Sequence, residues 1–165
     1  MDFFQKAIER FDAENGRDPN AEIDGGVPHP RELLYARRLT EWVLRLAPGT
    51  SEALRLAARC QHICRWTIPR EAYPITRAGY LRWRNDLKQF HASKSGAILR
   101  EVGYGEEMIA KVRDLNLKKH FRRTPKAACW RTHSAWFSWN FSLPLWRAGQ
   151  RRTSSSTPCG KAGRR

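Results

Sequence analysis

Apolar residues recur at three- and four-residue spacing along this 165-residue chain as far as Leu115, and then the pattern stops. A spacing near 3.6 buries one side of a helix, so it restricts the first 119 residues to a packing of helices. Residues 2–14 place Phe3, Phe4, Ala7, Ile8 and Phe11 on one side. The stretch NGRDPNAEIDGGVPHP follows, dense in Gly, Pro, Asn and Asp, and reads as a long loop. A second helix opens at Pro30 or Arg31 and runs to Leu46, with Leu39, Trp42, Val43 and Leu46 inward, and Ala47-Pro48-Gly49 ends it. Thr50 or Ser51 caps a third helix, which runs to about Trp66 and buries Leu56, Cys60, Ile63 and Cys64. Two prolines break the segment TIPREAYPI. Thr76 then caps a fourth helix with Tyr80, Trp83, Leu87 and Phe90 on one side. Residues 93–101 form a short helix closed by Gly103. Glu106 and Glu107 open the last one, where acids favour the helix dipole, and it carries Ile109, Val112 and Leu115. No segment reads as a strand. The expected fold is all-α, a compact multi-helix domain over residues 1–119.

Charge divides the chain at the same place. Through Lys119 there are 21 Lys and Arg against 16 acids, a balance of +5; residues 120–165 hold 10 Lys and Arg and no acid, a balance of +10. Such asymmetry usually marks a basic tail that binds nucleic acid. The tail also lacks any helical stripe sustained over two turns, and its end, QRRTSSSTPCGKAGRR, has the composition of a disordered segment. No apolar run is long enough to cross a membrane. The start MDFFQKAIERFDAEN carries acids and lacks the build of a secretory signal. Cys60, Cys64, Cys129 and Cys159 form no CxxC pair, which suits free thiols in a reducing, cytoplasmic setting.

Chemistry concentrates between Arg55 and Arg84. Arg55, Arg59, His62 and Trp66 are spaced four, three and four, so they share one helix face. Arg65, Arg70 and Tyr73 follow, and the next helix adds Arg77, Tyr80, Arg82, Trp83 and Arg84. Guanidinium forks match phosphate and carboxylate geometry, and aromatic rings stack on bases or on guanidinium groups. The pattern fits an anionic, nucleotide-like small molecule; the competing account is a solvated face whose Arg stems cover aromatics. His62 is the candidate metal ligand of the cluster, but no HxxxH or His-Asp pair accompanies it, and His29 and His91 could reach it only by folding. No Gly-rich phosphate loop and no serine nucleophile elbow is present. Nothing in the residues names a substrate, a cofactor or an oligomeric state.

In order along the chain, QHICRW, IPR, YP, RAGY and RWR give a combined signal. Over Phe3 to Lys119 the chain resembles domain-of-unknown-function family 4202. His62, Arg65, Trp66, Pro69, Arg70, Tyr73, Pro74, Arg77, Gly79, Tyr80, Trp83 and Arg84 match that family's pattern. The resemblance moves weight towards a ligand site at these residues. Members also look like the helical His-Asp phosphohydrolases, which would imply a metal-dependent phosphohydrolase, although Gln61-His62 stands where the His-Asp pair would be. A glutamyl-tRNA synthetase label that some members carry finds no HIGH-like or KMSKS-like element here.

Past Lys119 the family pattern continues with a segment like LEDALCLVFLE, and later DKL-x-D-I-LRKTW, neither of which is present. The genetic code accounts for the difference. If each codon is rebuilt from the last base of one codon and the first two of the next, Cys129-Trp130 must give Leu. Trp136-Phe137 must give Val, and Trp139-Asn140 must give Glu. The whole stretch permits L-E-D-A-L-C-L-V-F-L-E-F. The expectation is therefore a one-nucleotide shift near Lys119–His120, with 120–165 an out-of-frame basic tail and the domain impaired by loss of two native helices.

Overall fold

The computed structural model describes residues 2–119. Five α-helices build it: α1 (Phe3–Asn15), α2 (Arg31–Leu46), α3 (Glu52–Cys60), α4 (Arg77–Val102) and α5 (Glu106–Asn116). The fold is mainly helical, as the spacing predicts, with one small sheet. The tail, its proposed frame and the domain boundary at Lys119 concern residues that lie outside the described ones. Among the described residues no helix is long and apolar enough to cross a membrane.

The core forms where α1, α3, α4 and α5 meet. Phe11, Leu56, Cys60, Ile63, Leu99 and Val112 are all fully buried. The stripes of α3 and α5 lie inward as expected. Three assignments change. Leu46, the last residue of α2, is 43% exposed, and Tyr80, in the first turn of α4, is 45% exposed. Phe3 is also half-exposed, with its ring beside Gly103 and Tyr104.

Part of the expected long loop is a hairpin. β1 (Ala21–Asp24) pairs antiparallel with β2 (Val27–Pro30), Ala21 opposite Pro30 and Asp24 opposite Val27. Gly25 and Gly26 join them with φ of 57° and 84°, the two positive values that a type I′ turn needs. Arg38 of α2 clamps the hairpin, with ion pairs to Glu22 at 2.9 Å and Asp24 at 2.8 Å. The buried Asp18 accepts from the Glu32 amide at 2.9 Å, so it caps α2 from outside the helix.

Two helix boundaries also differ from expectation. The third helix stops at Cys60, and tight turns continue from Gln61. Ile63, Arg65 and Thr67 each donate to the carbonyl three residues back. Cys64 takes φ 50°, and its amide donates to the side chain of the buried Asn15 at 3.1 Å. This fixed left-handed residue turns the chain into two 3₁₀ turns, Arg65–Thr67 and Arg70–Ala72. The fourth and fifth predicted helices are one 26-residue helix, α4. Thr76 caps it as expected, accepting from the Gly79 amide at 3.1 Å. Ser95 and Gly96, expected inside a separate short helix at 93–101, are buried within α4, and a Cβ at Gly96 would stand 3.4 Å from the Ile109 side chain. They let α4 and α5 pack closely.

Candidate anion site

The short turn after α3 is where the chemistry gathers. It carries Gln61 and His62 away from the core to face the middle of α4, and Arg65 follows on the first 3₁₀ turn. From α4, Arg84, Leu87, Lys88 and His91 share one face. Asn116 ends α5, and Lys118 lies just past it. These nine residues line a recess of about 30 Å³.

Beneath it lies Glu32, in the first turn of α2, its side chain 3% exposed. One carboxylate oxygen is 3.6 Å from the guanidinium groups of both Arg31 and Arg65. The other is 3.4 Å from His62 Nδ1. Burial pushes the Glu32 carboxyl up, but His62, Arg65 and Arg31 together outweigh it and hold the carboxyl below its ordinary value. The His62 ring stacks on Tyr35 at 4.2 Å, with 8° between planes. Burial moves His62 below its ordinary value, Glu32 opposes that, and the charges of Arg65 and Lys118 add to it. The His91 ring lies 5.9 Å from that of His62. His91 donates from Nδ1 to the Ile63 carbonyl at 2.9 Å, and burial followed by the His62 charge pushes it down to about 3. Both imidazoles are therefore neutral at neutral pH.

Cations of the fold divide into paired and unpaired ones, and what distinguishes the recess is that three unpaired ones border it together. Arg10, Arg38, Arg59, Lys94, Arg100 and Lys111 each pair with a carboxylate. Arg84, Lys88 and Lys118 have no ion-pair partner among the described residues. Burial, then the charges of Arg84 and Lys88, push the Lys118 ammonium down to about 8. Three neighbouring cations, one of them mostly desolvated, are held without a counter-charge. Their potentials add inside the recess, which is what an anion would neutralise.

Only part of the residue set marked in the sequence meets here. His62, Arg65 and Arg84 line the recess. Trp83 stands behind Arg65, whose guanidinium lies 5.3 Å from the ring, and its indole donates to the Ile68 carbonyl at 2.9 Å. The remaining residues hold the fold in other ways. Arg55 lies over the Phe4 ring at 4.2 Å, and Arg59 makes a bidentate pair with Asp12 at 2.6 Å. Trp66 packs on the core. Arg70 donates to the carbonyls of Tyr73 and Pro74, and Tyr73 donates to Asp86 at 2.9 Å. Arg77 is exposed, and Tyr80 rests against Trp83 at 5.9 Å. His91 does converge on His62 by folding, whereas His29 sits on β2. Among the described residues no group of three or more His, Cys, Asp and Glu side chains is placed to hold a metal ion.

Glu32, Tyr35, Lys88, His91, Asn116 and Lys118 were not marked as site residues in the sequence. The spacing of Arg84, Lys88 and His91, four and three, could have placed those on one face. A family model described as Domain of unknown function (DUF4202) matches residues 5–130, starting slightly later than Phe3 and running past Lys119. No curated protein and no solved structure matches the chain.

Proposed function

Since this chain belongs to the DUF4202 family, we propose that its recess binds a phosphate- or carboxylate-bearing small molecule through Arg65, Arg84, Lys88 and Lys118. The observation that carries this reading is the set of three cations without a carboxylate partner around one recess. Keeping like charges together and partly dry costs free energy, and an anion removes that cost. Trp83 backs Arg65 from behind, its ring 5.3 Å from the guanidinium. Arg55 and Arg59 are left out of the ligand set, since they are engaged with Phe4 and Asp12.

Titration of the 165-residue chain with inorganic phosphate and with pyrophosphate, followed by calorimetry, tests the reading. Saturable binding is expected. Arg84→Gln and Lys88→Gln should each weaken it about ten- to a hundredfold, the worth of one charge-assisted hydrogen bond. Arg55→Gln should leave it within about twofold. Binding indifferent to Arg84 and Lys88 would remove the proposal.

A second proposal concerns the tail. The forced codons at Cys129-Trp130, Trp136-Phe137 and Trp139-Asn140, with the absence of acids after Asp114, support translation of 120–165 one base out of step. The domain would then lack two native helices, which should weaken its activity without removing the recess that residues 61–118 already line.

A further inference from the structure

Holding an anion does not require Glu32 and His62 to be arranged as they are. A buried carboxylate must be paired, because its desolvation costs several kcal/mol. Two guanidinium groups already face one Glu32 oxygen. The second oxygen faces His62 Nδ1 instead. An ionised acid there keeps the proton on Nδ1, so Nε2 carries the lone pair. Tyr35 fixes the plane of the ring by stacking on it. His62 lines the recess, Nε2 is the nitrogen left to serve it, and no described residue hydrogen-bonds to that nitrogen. An acid facing one nitrogen of a histidine that itself lines a cationic recess is the arrangement of a general base beside an electrostatic clamp. The 3.4 Å contact is long. Contacts of this kind tighten when substrate is bound.

We propose that Glu32 and His62 form a general-base pair that hydrolyses a phosphate ester held in the recess. The inference rests on the anion-binding reading above. His62 Nε2 takes a proton from water as the water oxygen attacks phosphorus. A P–O bond forms to that oxygen, and the ester P–O bond breaks. The electron pair leaves with the ester oxygen, which is protonated from solvent, and the imidazolium releases its proton to solvent. Ester and water become alcohol and inorganic phosphate, with no change of oxidation state. Arg65, Arg84, Lys88 and Lys118 stabilise the charge on the transferring phosphoryl group. Glu32 is a positioning residue, since it acts through His62.

The groups that face His62 set its pH response. These are Glu32 and Tyr35 from α2, Arg65 from the following turn, His91 from α4 and Lys118 beyond α5. A base must be neutral to act, so kcat should rise with pH through a midpoint below the ordinary histidine value.

The experiment is hydrolysis of p-nitrophenyl phosphate by the 165-residue chain in EDTA, across the acid-to-neutral range, beside a phosphate titration. Turnover is expected. His62→Gln should lower kcat about a hundredfold or more while phosphate binds as before. Glu32→Gln should also lower kcat and move the acid limb to lower pH, because the Glu32 charge raises the His62 value. A purely structural role would move neither the limb nor kcat at constant affinity. A wild-type circular-dichroism spectrum certifies that a variant is folded, and either variant alone carries the test. Phosphate binding without turnover overturns this inference and leaves the binding reading standing. So does turnover that EDTA abolishes and a divalent cation restores, which would favour a metal-dependent phosphohydrolase. Absence of phosphate binding removes both.

Discussion

Lys118 shows how a single residue can be held against its own preference. α4 and α5 end in the same Schellman hydrogen bonds. At α4 the Tyr104 amide reaches Leu99 and the Gly103 amide reaches Arg100; at α5 the Lys119 amide reaches Asp114 and the Lys118 amide reaches Leu115. The left-handed position is Gly103 in the first, with φ 106°, and Lys118 in the second, with φ 59°. Left-handed backbone costs a non-glycine residue about 1–2 kcal/mol, and glycine would give back part of that in chain entropy. Lys118→Gly is therefore expected to stabilise the fold by about 0.5–1 kcal/mol in urea unfolding. The same change should weaken phosphate binding about tenfold. A variant less stable than wild type would show that the backbone is relaxed there. None of this was legible in the sequence, because no local signal sends a Lys to a glycine position. The facing positions on α4 were legible, through their spacing, while Glu32 reaches the site from a distant helix and Asn116 from another.

At the scale of elements, periodicity gave the inward faces of α3 and α5 and the Thr76 cap. It failed where small residues serve packing. Periodicity splits α4 before residue 93, yet Ser95 and Gly96 lie buried within one helix, and Gly96 approaches Ile109 across the seam between α4 and α5. The hairpin was missed because its two strands are only four residues each, and the Asp-Gly-Gly turn signal was absorbed into a loop. Gly79 marks the most crowded seam. A Cβ there would stand 2.2 Å from the Pro74 carbonyl oxygen, which belongs to backbone and cannot rotate away. Gly79→Ala should destabilise the fold by about 1–3 kcal/mol, read as a lower urea midpoint. It should also displace the first turn of α4, and with it the backing of Arg65 by Trp83. An unchanged midpoint would mean that the approach of α4 to the Pro74 turn is soft.

Across the whole molecule, the distribution of charge separates two questions that the net charge of +15 merges. Basic residues of the folded region are largely offset by acids, and the recess gathers three that have no ion pair. The excess in 120–165 is a separate matter of sequence. Nucleotide sequencing across codons 115–165, with peptide mapping of the tail, should find a one-base shift near Lys119–His120. A single intact frame confirmed by peptides would end that proposal. If the tail instead binds nucleic acid, affinity should fall steeply with salt and vanish on removal of 120–165.

The wall between recess and core is one side chain thick at Asn116. Its amide donates to Cys60 Sγ at 3.3 Å and to Ser95 Oγ at 3.2 Å, and the residue also borders the recess. Burial pushes the Cys60 thiol up to about 11, so it stays protonated and inert while the wall is shut. Cys60 is thereby a built-in clock: the pace at which an alkylating reagent finds it counts the moments when the wall swings open, and a bound anion that braces the α5 terminus would slow its ticking.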